Sequence, residues 1–138
     1  MILMNIDDHR KAFEEHRKTI FRWAVGVLGP KEAQRIIGLH ASRGIVELLS
    51  ILLHKTKKID QGFQLNHRWF KSIRVSERLP DFPDKDYIIK RLVDLEILSE
   101  TLSYGSGRSL EEIEKALKLF IELEKIIENK IGDVDEKK

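Results

Sequence analysis

Residues 36–53 constrain the fold more than any other part of the chain. Ile36, Ile37, Leu39, Ile45, Val46, Leu48, Leu49, Ile51, Leu52 and Leu53 are too many apolar side chains, too closely set, for one face of a helix. A helix that is apolar on more than one face must be enclosed by others. The run therefore predicts a central helix over about residues 31–57 with neighbours on several sides. Gly38, Ala41, Ser42 and Gly44 interrupt its bulk. Glycine costs about 1 kcal/mol relative to alanine in a helix interior, a cost offset where another helix, from this chain or from a second copy, approaches closely.

The neighbours are legible as periodic stripes. Phe13, His16, Ile20, Ala24 and Val27 recur at three- and four-residue steps, which predicts a helix over residues 7–28. Asp7 and Asp8 suit its positive end, and Gly29-Pro30 stops it while starting the next helix. After a loop around Gly62, Asn66 has the chemistry of an N-cap for a third helix reaching about Leu79. Pro80 and Pro83 then restrict a turn. A fourth helix beginning near Asp84 or Asp86 places Ile88, Leu92, Leu95 and Leu102 on one stripe, with Ile89, Val93 and Ile97 beside it. Tyr104-Gly105-Ser106-Gly107-Arg108 breaks that pattern. Ser109 and Glu112 have the form of a capping box, and Ile113, Leu117, Phe120, Leu123, Ile127 and Ile131 carry a fifth helix. No segment alternates as a strand does. The expectation is an all-α fold, an antiparallel up-and-down bundle of about five helices over residues 1–131, followed by a charged, flexible tail over residues 132–138.

The chain has no cysteine, which excludes thiol catalysis, Cys-ligated zinc and disulfides. Met1-Ile2-Leu3-Met4 is far too short for the apolar part of a signal peptide, and no stretch approaches the ~18 apolar residues of a membrane span. A cytoplasmic protein with no membrane partner is expected. The formal charge of +2 conceals an asymmetry: residues 1–91 carry 18 basic and 11 acidic side chains, residues 92–138 carry 7 and 12. Either basic and acidic helices lie side by side, where exposed pairs contribute about 0–1 kcal/mol each, or the basic part faces an anionic partner.

The third helix is where such a partner would bind. His67, Lys71, Arg74 and Arg78 are spaced 4, 3 and 4 residues apart, so in an α-helix they share one narrow face with Trp69 and Ile73 roughly opposite. A stripe of this kind contacts phosphates without reading bases. The plainer alternative is a solvated face, or one that meets the acidic fifth helix. Gly105-Ser106-Gly107-Arg108 precedes a helix N-terminus, where backbone donors can hold an anion. His9 and His16 lie two turns apart, and no His-x-x-x-His or Glu-x-x-His pair occurs, so neither a metal nor another cofactor is expected.

The order of these elements resembles the HEPN family of small helical-bundle proteins. Leu39-His40-Ala41-Ser42-Arg43-Gly44-Ile45-Val46-Glu47-Leu48-Leu49 looks like the family's small-residue-interrupted central helix, Asn66-His67 like its turn into the next helix, and Tyr104-Gly105 like its final junction. Ribonuclease members carry an arginine, four to six residues, then a histidine near the end of the penultimate long helix. With Tyr104 aligned to the family's tyrosine, those positions hold Ile97 and Leu102, which can neither move a proton nor stabilise phosphate charge. Arg35 and His40, and likewise Arg10 and His16, repeat the spacing outside the family position. The resemblance implies a binding or regulatory module without intact ribonuclease residues, taking nucleotide or RNA phosphates. It also implies a setting such as a toxin–antitoxin pair, a nucleotidyltransferase-type partner protein, and Tyr104 as the family position that can receive nucleotides. A homodimer through the central helix is expected. The other readings are a divergent ribonuclease using Arg35 and His40, and a purely structural protein-interaction bundle.

Overall fold

The computed structural model describes residues 4–137; residues 1–3 of the opening apolar tetrapeptide and Lys138 at the end of the expected tail lie outside them. Every regular element among the described residues is a helix, with no strand. Helix α1 (Ile6–Lys18) runs without a break into a π-helical stretch (Thr19–Leu28), and α2 (Gln34–Lys55), α3 (Lys85–Tyr104) and α4 (Leu110–Glu136) follow. Two short 3-10 stretches, His67–Lys71 and Ile73–Arg78, stand between α2 and α3.

The caps follow local chemistry. Asn5, rather than Asp7, opens α1: its side chain accepts from the Asp8 backbone while the Asp8 carboxylate accepts from the Asn5 backbone, a reciprocal box. Gly29 at φ 88° makes the left-handed turn that ends the π-helical stretch; only glycine adopts this without penalty. Ser109 caps α4 through the Glu112 backbone N–H. The expected box is half formed there, because the Glu112 carboxylate meets the Ser109 hydroxyl at 3.4 Å rather than its backbone. Helix α4 continues through Gly132 to Glu136, so most of the segment expected as a flexible tail is helical. Val134 packs partly buried against the core, and Asp135 pairs with Lys55, which gives those last turns something to hold.

Helix α2 is the central helix: fourteen of its 22 residues are buried, and α1, α3 and α4 all contact it. By length and composition it is apolar enough to cross a membrane, contrary to the reading of its sequence, but 72% of its most apolar window is buried among the other helices. Its small residues serve close approach within the chain. A Cβ on Gly38 would stand 2.7 Å from the Ser103 backbone nitrogen of α3, and one on Gly44 would stand 3.1 Å from both His16 of α1 and Phe120 of α4.

The charge asymmetry is largely consumed by helix pairing. Arg10 of α1 makes a two-pronged contact with Glu128 of α4, Arg17 pairs with Glu124, and Lys55 of α2 pairs with Asp135. Two stripe residues depart from expectation. Val27 is 65% exposed, because the wider π turn advances less per residue and a three-residue step from buried Ala24 carries it off the core face. Ile97 is likewise half-exposed, and the charged neighbour Glu96 is buried in its place.

Candidate functional site

Glu96 is the origin of the site. It is 3% exposed on α3, and a carboxylate so deep requires donors. The Ser42 hydroxyl of α2 donates to its Oε1 at 2.6 Å, and His67 Nδ1 lies 3.0 Å from the same oxygen. With Nδ1 turned to the carboxylate, Nε2 is the ring nitrogen left for other partners. Ser42 is positioned in turn by Ser99, whose hydroxyl accepts from its backbone N–H at 3.3 Å. Gly38 lets α2 and α3 come close enough for this seam to form.

Over the seam lies a cleft of about 250 Å³ whose walls include Ser42, Arg43, His67, Arg68, Lys71 and Tyr104. A second hollow of about 400 Å³ shares Arg43, His67 and Arg68 and adds His16, Glu47 and Asn66. The three shared residues therefore form a common wall. Among the described residues no carboxylate pairs with the Arg43 or Arg68 guanidinium, whereas Arg10, Arg17 and Arg91 are each paired. Lys71 is 3.7 Å from Glu100, with both side chains about half-exposed. A larger hollow of about 560 Å³ at the other end of the bundle has Lys57 as its one lining cation, beside Asp7 and Asp60. The cleft instead gathers Arg43, Arg68 and Lys71 beside Glu96 and Glu100.

A histidine pair borders the second hollow. His16 Nδ1 and His40 Nδ1 are 2.8 Å apart, a geometry that admits one hydrogen and so requires at least one ring to be a neutral acceptor. Burial, then the neighbouring His40, push the His16 pKa down; burial, then Arg43, push that of His40 down. His9 Nδ1 meets Glu47 at 2.6 Å on the same α1–α2 contact. Among the described residues, no three His, Cys, Asp or Glu side chains come together as metal ligands.

The third α-helix expected from the sequence is absent, and its basic stripe is not one face. Ser72 is extended (φ −142°, ψ 147°) and splits the segment into the two 3-10 stretches. Asn66 and Ser72 each cap the following turn, accepting from the backbone of Arg68 and Arg74, and such local side-chain bonds compete with a continuous helix. The buried anchors are Phe70 and Val75; Trp69 packs partly buried against the core, and Ile73 is 59% exposed. His67 and Lys71 line the cleft, and Arg74 and Arg78 do not. Arg74 is exposed, while the Arg78 guanidinium covers the Trp69 ring at 4.9 Å.

Tyr104 is 76% exposed at the end of α3 and lines the cleft with His67 and Lys71. Arg35 and His40 are not brought together as a pair: Arg35 donates to the Gly105 carbonyl, while His40 turns to His16 of α1. The loop after Tyr104 is occupied by its own contacts, with Gln34 donating to the Leu102 and Ser106 carbonyls and accepting from the Arg108 backbone. Sequence reasoning missed Arg43, Arg68 and Glu96 as site residues. Its one available signal was a carboxylate at position 96 between Leu95 and Ile97. No protein-family model, curated protein or solved structure matches this chain.

Proposed function

We propose that this chain is a HEPN-like antiparallel bundle acting as a non-catalytic binding or regulatory module, which holds a nucleotide or RNA phosphate in the cleft between α2, the His67–Lys71 turn and α3. The observation that carries this reading is the pair of carboxylate-free guanidiniums, Arg43 and Arg68, lining the same cleft as a histidine held by buried Glu96. Two guanidiniums suit phosphate oxygens, and the exposed Tyr104 ring at the rim offers a flat surface to a base, with Leu39 as an apolar neighbour. Homodimerisation and a nucleotidyltransferase-type partner in the cytoplasm belong to the same reading.

The test is titration of a fluorescent oligoribonucleotide and of ATP at several salt concentrations. Affinity should fall as salt rises, and Arg43→Glu with Arg68→Glu should abolish binding while the helical circular dichroism is unchanged. Arg74→Glu should have little effect. Equal losses at position 74 would return the assignment to a diffuse basic surface. A second reading, a divergent ribonuclease, is favoured by the His67–Glu96 contact, which is how a general base is oriented. It requires RNA cleavage that His67→Gln abolishes; cleavage that survives removes it.

A further inference from the structure

The π-helical stretch leaves three large apolar side chains in water. Trp23, Val27 and Leu28 are 52%, 65% and 51% exposed. With i→i+5 hydrogen bonding, residues four and five apart stack along one face, so the three form a single patch. The charge along this segment is one-sided: no Asp or Glu occurs between Glu15 and Glu32, whereas Arg17, Lys18, Arg22 and Lys31 lie within that span. Arg17 is neutralised by Glu124. The others keep their charge. Lys18 pairs with no carboxylate among the described residues, Arg22 lies over the Trp23 ring at 5.6 Å, and Lys31 donates to the neutral Arg108 carbonyl.

We infer that this patch is a peripheral membrane-docking surface, whose occupant is an anionic lipid bilayer. A tryptophan and two aliphatic side chains on a segment whose charged residues are all cations match the boundary between acyl chains and negatively charged headgroups. A second copy meeting the same patch about a two-fold axis would bring like charges together. This departs from the expectation of no membrane partner, but it concerns docking alone, since the patch lies on the surface and buries no backbone. It is also separate from the Arg43–Arg68 cleft.

Vesicle flotation tests it, using phosphatidylcholine alone and phosphatidylcholine with an equal part of phosphatidylglycerol. The protein should float with the anionic vesicles and not with the neutral ones. Val27→Glu with Leu28→Glu should lower the bound fraction by roughly tenfold or more, as should Lys18→Glu with Arg22→Glu, since each cation near an anionic surface matters separately. All four side chains are exposed, and unchanged circular dichroism would show that the variants fold. No flotation, equal flotation with neutral vesicles, or full binding by both variants would each overturn the inference. So would a doubling of mass in light scattering that Val27→Glu abolishes in a protein that does not float, which would assign the patch to a second copy.

Discussion

Gly38→Ala tests the close contact on which the cleft depends. The added methyl would stand 2.7 Å from the Ser103 nitrogen and 2.8 Å from both Leu102 Cβ and Ser103 Oγ. Two of those three atoms cannot rotate aside, so α2 and α3 must move apart. Helix propensity works the other way, favouring alanine by about 1 kcal/mol. Overpacking of a tight interface costs about 1–3 kcal/mol, and contact with fixed atoms belongs at the upper end. The net expectation is destabilisation by about 1–2 kcal/mol, a Tm lower by several degrees for a chain of this size. Gly132→Ala is the control, since it lies inside α4 with nothing within 4 Å and should stabilise by about 0.5–1 kcal/mol. Urea and thermal unfolding followed by circular dichroism would measure both. Two shifts in the same stabilising direction would refute the idea that position 38 is small because α3 presses on it.

Acidification should destabilise the fold through its histidines. Burial, followed by the neighbouring imidazole or Arg43, lowers the pKa values of His16 and His40, and burial followed by His9 lowers that of His54. The unfolded chain therefore binds more protons than the folded one once the pH falls below about 6.5, and stability drops with it. The urea midpoint should be lower at about pH 5.5 than at about pH 7.5, and His40→Gln should flatten that difference; a midpoint that rises on acidification would contradict the sign. Ser109→Ala removes the α4 cap and should cost about 1 kcal/mol, read as a lower urea midpoint; no change would show that the Glu112 N–H is satisfied equally well by water.

The long helices were legible because their information is local. The apolar crowding of residues 36–53 required a central helix, and the Ser109 cap and the stripe from Ile113 to Ile131 located α4 within a residue at its start. The site was legible only in part. His67, Lys71 and Tyr104 meet in one cleft, but the geometry expected to unite His67 with Arg74 and Arg78 assumed a helix that Asn66 and Ser72 interrupt. Arg43 looked like an ordinary member of a small-residue helix, because nothing in its neighbours along the chain shows that no carboxylate will reach it. Glu124 and Glu128 are more than a hundred residues from the arginines they neutralise.

What the sequence determined by itself is therefore the helical class, the position of the central helix and most helix boundaries, all set by period, capping and turn chemistry over a few residues. Tertiary structure decided which charges are spent and which remain. Arg10 and Arg17 of α1 face α4 and lose their excess charge there, whereas Arg43 and Arg68 face a cleft whose one deep carboxylate is already held by Ser42 and His67. Pairing depends on which helix faces are brought within a few ångströms, and that distance is a property of packing, not of spacing along the chain.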